Sequence, residues 1–175
     1  MVSIVPVLSW VAAFAGAAIA VAGGPRPVAR GFVLDRLLRY AFIFPVGLMG
    51  LWGALGHIVF PARVAQAIGW QTSPFQFEVG VANLGIGLAG LYAAFRPFEA
   101  RLATNLVLAC FLIGAGAGHI RDIITAGNFA PGNAGPILFT DLLTPTAIFL
   151  LLWLTRPRGG EREAEPRRTP SRRQG

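Results

Sequence analysis

The chain holds two histidines, and both sit in the same triplet. His57 lies in ALGHIVFP and His119 in AGAGHIRD, each a Gly-His-Ile at the end of a long apolar run, 62 residues apart. Carboxylates follow at matching intervals: Glu78 comes 21 residues after His57, and Asp141 comes 22 after His119. An imidazole beside a carboxylate can hold or pass a proton, and two of each suit zinc, iron or manganese by donor type. Ionisable side chains within apolar runs are costly unless they face a protein interior or a water-filled cavity. His57, Glu78, Asn83, His119, Asp122 and Asp141 are therefore the candidate polar-cluster or substrate-binding residues, and His57, His119, Glu78 and Asp141 the candidate metal ligands. No catalytic role is assigned to any of them.

Four chemistries fit this set. The first is a structural network of His–carboxylate and Asn hydrogen bonds, since buried polar groups normally satisfy one another. The second is a divalent metal site, although the Glu-x-x-His pattern of ferritin-like centres is missing: Ala54 and Gly116 stand three residues before the histidines. The third is haem held between the two imidazoles, without a c-type attachment motif. The fourth is a cavity that handles protons or a small molecule. A single cysteine, Cys110, excludes an intrachain disulfide and any cysteine metal motif.

The elements that must position these residues read as membrane helices. The chain is 54% hydrophobic and 13% charged, far from the soluble average of about a quarter charged. Five segments have the roughly 20 apolar residues that a span requires, at about Val2–Ala22, Tyr40–Phe60, Phe75–Phe95, Leu102–Ile120 and Ile137–Leu154. The first lacks the basic n-region of a signal peptide and reads as a retained helix. All fifteen basic residues are arginine, and thirteen fall in the first and third loops and the tail, leaving only Arg63 and Arg121 opposite. The positive-inside rule then puts the amino terminus outside and the carboxyl terminus in the cytoplasm, with the histidines at the outer ends of their helices.

The expected organisation is one all-α transmembrane domain over residues 1–155 and a disordered basic cytoplasmic tail over 156–175. The tail's arginines suit anionic lipid head groups. A nucleic-acid role is excluded, because no folded or aromatic recognition element accompanies the charge.

The segment GLWGALGHI (50–58) overlies LIGAGAGHI (112–120) at the histidine offset, so helices two to five read as an antiparallel four-helix bundle of two parallel repeats, about 40–95 and 102–155. Gly47, Gly50, Gly53, Gly56, Gly80, Gly87, Gly90, Gly114 and Gly118 predict close helix packing. SPFQ predicts a capping box from Ser73 to Gln76, and Pro136 marks the start of the last helix.

The residues FEVGVANLGIGLAGLYAAF, GAGAGHI and TDLLTP resemble the membrane family catalogued as domain of unknown function 6790, over about residues 40–155, and the four-helix part is loosely similar to DoxX-like proteins. The resemblance implies a small multi-pass inner-membrane protein without an established activity. DoxX-like relatives imply a link to redox and quinone systems, but this chain has no redox cysteine pair. The expected function is an accessory or structural membrane subunit, with a partner in a membrane complex. The alternative is a metal-, haem- or quinone-associated redox or small-molecule-handling protein. Whether the chain is an enzyme stays open.

Overall fold

A computed structural model describes residues 4–157, so most of the basic tail, with its expected disorder and lipid contacts, lies outside the described residues. Six helices run in order: α1 (Val5–Ala22), α2 (Arg30–Val59), α3 (Pro61–Ile68), α4 (Phe75–Ala93), α5 (Phe98–Ala126) and α6 (Pro136–Thr155). Among the described residues there is no strand. By length and composition, α1, α2, α5 and α6 are apolar enough to cross a membrane. Helix α4 is not among them, because Gln76, Glu78 and Asn83 dilute an otherwise apolar 19-residue helix.

Several bounds differ from those expected. Helix α2 starts at Arg30 rather than near Tyr40. Arginines at 36 and 39 lower the hydropathy of this segment, yet its other face buries Leu38 and Ala41. Within α2, residues Phe42–Leu48 are π-helical around Pro45. Proline has no N–H to give and its ring collides with the carbonyl four residues back, and a wider turn relieves both problems. Helix α5 runs well past the expected span at both ends, so Asp122 is helical. The short helix α3 was not anticipated. It ends at Gly69 (φ 83°) and α5 ends at Gly127 (φ 63°), where the left-handed turn suits glycine.

Helix α4 packs along the second half of α2, and α6 packs along α5. The α2–α4 contact is glycine-lined. A Cβ on Gly50 would stand 2.6 Å from the Cα of Gly87, and one on Gly80 would stand 2.5 Å from the Ile58 side chain. Close packing therefore holds for the α2 and α4 glycines. Gly114 and Gly118 depart from the expectation, for nothing stands within 4 Å of a Cβ built on either. The core gathers Leu38, Phe42 and Val46 of α2, Ile86 and Ala93 of α4, Leu108 of α5, and Ile148 and Leu152 of α6. Helix α1 lies against α2, where a Cβ on Gly16 would meet the Tyr40 ring, and Trp10 Nε1 donates to Thr144 Oγ1 of α6 at 3.1 Å.

Candidate functional site

The last turns of α5 carry His119, which is buried. Its Nδ1 stands 2.6 Å from Oδ1 of Asn133, itself fully buried in the connection to α6. The Asn133 amide nitrogen donates to the carbonyls of Asn128 (2.8 Å) and His119 (3.3 Å), so Oδ1 is the acceptor and the His119 proton sits on Nδ1. That assignment leaves Nε2 facing Oδ2 of Asp141 at 3.7 Å. Asp141 is buried in the second turn of α6, whose first residue, as expected, is Pro136.

A tryptophan links this site to the other half of the chain. The Trp70 ring, just after α3, stacks on His119 with centroids 6.1 Å apart, while its Nε1 donates to Oδ2 of Asp122 at 2.8 Å. Asn128 Nδ2 donates to the same oxygen and to the Ile68 carbonyl, and Gly132 N donates to the Ala67 carbonyl. The end of α3 is thereby fastened to the α5–α6 connection.

His57 stands in the last turn of α2, half-buried, with Nδ1 against Oε1 of Gln76 at 2.5 Å. Gln76 is buried in the first turn of α4. The predicted capping box is therefore not formed: Pro74 is the N-cap, no side chain caps the helix, and the Gln76 amide reaches the imidazole instead of the backbone. Beside this pair lies an open cavity of about 390 Å³ lined by His57, Pro61, Thr72, Ser73, Gln76 and Phe77.

The structure joins His119 to Asp141 and places Asp122 on Trp70, but it does not gather the whole expected set. Glu78 is exposed in the first turn of α4, and Asn83 donates to the Val79 carbonyl beside Gly53. Among the described residues no three His, Cys, Asp or Glu side chains stand together as a metal site. Of His57, Glu78, His119 and Asp141, the structure brings His119 and Asp141 together, while His57 meets Gln76. The reason is local: each imidazole is held on its own half by an amide, through Gln76 and Asn133. In the sequence Gln76 reads as part of a helix cap and Asn133 as one more polar residue of a turn, whereas each amide offers an imidazole an acceptor oxygen without a charge. The signal that points to them is a Gln or Asn in the turn-rich connection after each histidine, as in QTSPFQ and GNFAPGN.

Among known proteins, neither a curated protein nor a solved structure matches the chain. A family model does, over residues 3–161, and it covers the α2–α6 segment with both histidine–amide pairs. The chain belongs to the family of unknown function DUF6790.

Proposed function

We propose that this protein is a small multi-pass inner-membrane protein with a structural or accessory role, in which the two histidines act as staples. The observation that carries the reading is the doubled arrangement of imidazole Nδ1 on an amide oxygen: His57 on Gln76 and His119 on Asn133. His57 ties the end of α2 to the start of α4 and His119 ties α5 to the connection that leads into α6, and neutral partners suit a low-dielectric medium better than charges do. Large apolar side chains left exposed along α1, α4, α5 and α6, such as Val11, Leu88, Val107 and Leu150, support lipid as the solvent. In this reading the chain crosses five times, with α4 as the polar-tinged third crossing, and α2–α4 and α5–α6 are parallel repeats in one domain. Arginine placement supports an outside amino terminus and a cytoplasmic tail.

The test is to replace each histidine in the full-length, detergent-purified protein. His119→Ala leaves buried Asn133 and Asp141 without their partner and is expected to lower stability by roughly 1 to 3 kcal/mol. His57→Ala, half-buried, is expected to cost less. Near-stoichiometric metal in the wild-type protein that disappears in both variants would overturn the staple reading.

A second reading has one observation in its favour, the cavity beside His57. It would make the outer end of α2 a small-molecule site, and a ligand-dependent rise in melting temperature that is lost in Thr72→Trp would support it.

A further inference from the structure

The opposite end of the molecule holds a cluster that the staple reading does not use. Arg101, at the start of α5, is 7% exposed. Its Nε donates to the Ala93 carbonyl at 3.2 Å, Nη2 to the Ala94 carbonyl at 2.9 Å, and Nη1 to Oδ1 of Asp35 at 2.8 Å. The same Asp35 receives Arg36 Nη2 at 3.1 Å and Arg39 Nη2 at 3.8 Å on its other oxygen. One carboxylate therefore faces three guanidiniums. The Nε atoms of Arg36 and Arg39 are shielded from solvent and, among the described residues, have no acceptor. Donors in that state are normally paired with protein, water or a ligand.

The two guanidiniums are held in place by aromatic faces. Arg36 lies over the Phe32 ring at 4.8 Å, and Arg39 over the Phe95 ring at 5.5 Å. They can still be reached from outside, since their side chains are 23% and 29% exposed. Phe95 beside them is 65% exposed, a large apolar surface adjoining the charge.

We propose that Arg36 and Arg39, braced by the Arg101–Asp35 pair, form a binding site for a phosphate group, carried by an anionic phospholipid. Phosphate offers several oxygens to the exposed edges of two forked guanidiniums, where the single shared carboxylate offers one. The apolar rim at Phe32 and Phe95 matches a ligand that is anionic at its head and apolar behind it. Such a site is distinct from any lipid contact of the tail, because it is built on α2, α4 and α5. The choice of a lipid source rests on the membrane reading, while recognition of phosphate does not.

The test uses the full-length protein in non-ionic detergent, probed with phosphatidylglycerol, with phosphatidylcholine of the same chains, and with inorganic phosphate. Phosphatidylglycerol is expected to raise the melting temperature more than phosphatidylcholine does. R36Q/R39Q is expected to bind phosphatidylglycerol roughly 30-fold more weakly, at about one arginine's electrostatic contribution each. R121Q, at the far end of α5, should bind as the wild type does. Single R36Q and R39Q variants, which leave the Arg101–Asp35 bond in place, carry the test if the double variant does not fold. Stabilisation by inorganic phosphate alone, lost in the same variants, would keep the site and assign it a free phosphate ligand. Undiminished phosphatidylglycerol binding in R36Q/R39Q would overturn the proposal, as would equal effects of both lipids with none from phosphate. Failure of the membrane reading has its own signature, extraction of the protein without detergent.

Discussion

Arg101 shows how a nearly buried charge is tolerated in this chain. Its guanidinium donates to two carbonyls at the end of α4, those of Ala93 and the C-cap Ala94, and its remaining arm to Asp35 of α2. A single side chain thus ties three helices together. Arg101→Gln is expected to lower stability by about 2 kcal/mol, because two carbonyls and part of a carboxylate lose their donor. Asp35 is 34% exposed, so water takes over some of that loss. Arg101→Lys should not restore the wild-type value, since a compact ammonium cannot span three acceptors as a planar fork does. Thermal or denaturant unfolding in detergent checks both, and equal stability of the lysine variant would show that charge alone matters. Asn133 does comparable work for His119 through three hydrogen bonds, which is why the neutral residue, rather than a second carboxylate, is the centre of that site.

At the scale of elements, glycine decides which helix faces can touch. Gly50→Val is expected to force α2 and α4 apart and cost about 1 to 3 kcal/mol, because its Cβ would lie at 2.6 Å from Gly87. Gly118→Ala has open space around it and is expected to be neutral or to stabilise α5 by up to about 1 kcal/mol through helix propensity. Comparing the two melting temperatures checks the pair, and a costly Gly118→Ala would mean that this face is covered. The glycine periodicity of α2 and α4 was legible in the sequence, as were α1, α4 and α6 to within a few residues. What was not legible has physical causes. Hydropathy averaged over a window discards the amphipathic start of α2, where Arg36 and Arg39 share a helix with buried Leu38 and Ala41. It also misses α3, which is eight residues long and polar on one side. Gln76 satisfies a capping pattern locally, but a tertiary partner, His57, claimed its side chain. Of the candidate residues picked from the sequence, His119 and Asp141 come within 3.7 Å of each other. Glu78 was selected by sequence spacing and stands exposed on α4.

At the scale of the whole molecule, α4 decides the topology. Four helices are apolar enough to cross a membrane without question of composition, and α4 carries Gln76, Glu78 and Asn83 within its 19 residues. If α4 crosses, the chain passes five times and its ends lie on opposite sides. If α4 does not cross, an even number of passes returns the tail to the side of the amino terminus, and the loop with Arg96 and Arg101 moves outside with it. The second arrangement scatters the arginines over both faces, against the positive-inside bias. It also leaves the polar residues of α4 no better paired, because Gln76 already has His57 and Asn83 already has the Val79 carbonyl. Reporters fused after Arg173 and near Arg96 are therefore expected to read as cytoplasmic, and one near Asn128 as external. A reporter after Arg173 that reads as external would remove the fifth crossing or invert the whole set, and a reporter near Thr72 separates the two. Both make the α5–α6 connection internal and the loop at Arg96 external, but inversion brings the α3–α4 connection inside, whereas loss of α4 as a crossing leaves it outside with the loop at Arg96. Cytoplasmic readings at both Arg96 and Arg173 together with an external one near Thr72 are compatible only with passage of α4, and they would put the histidine pairs and the arginine cluster at opposite membrane faces.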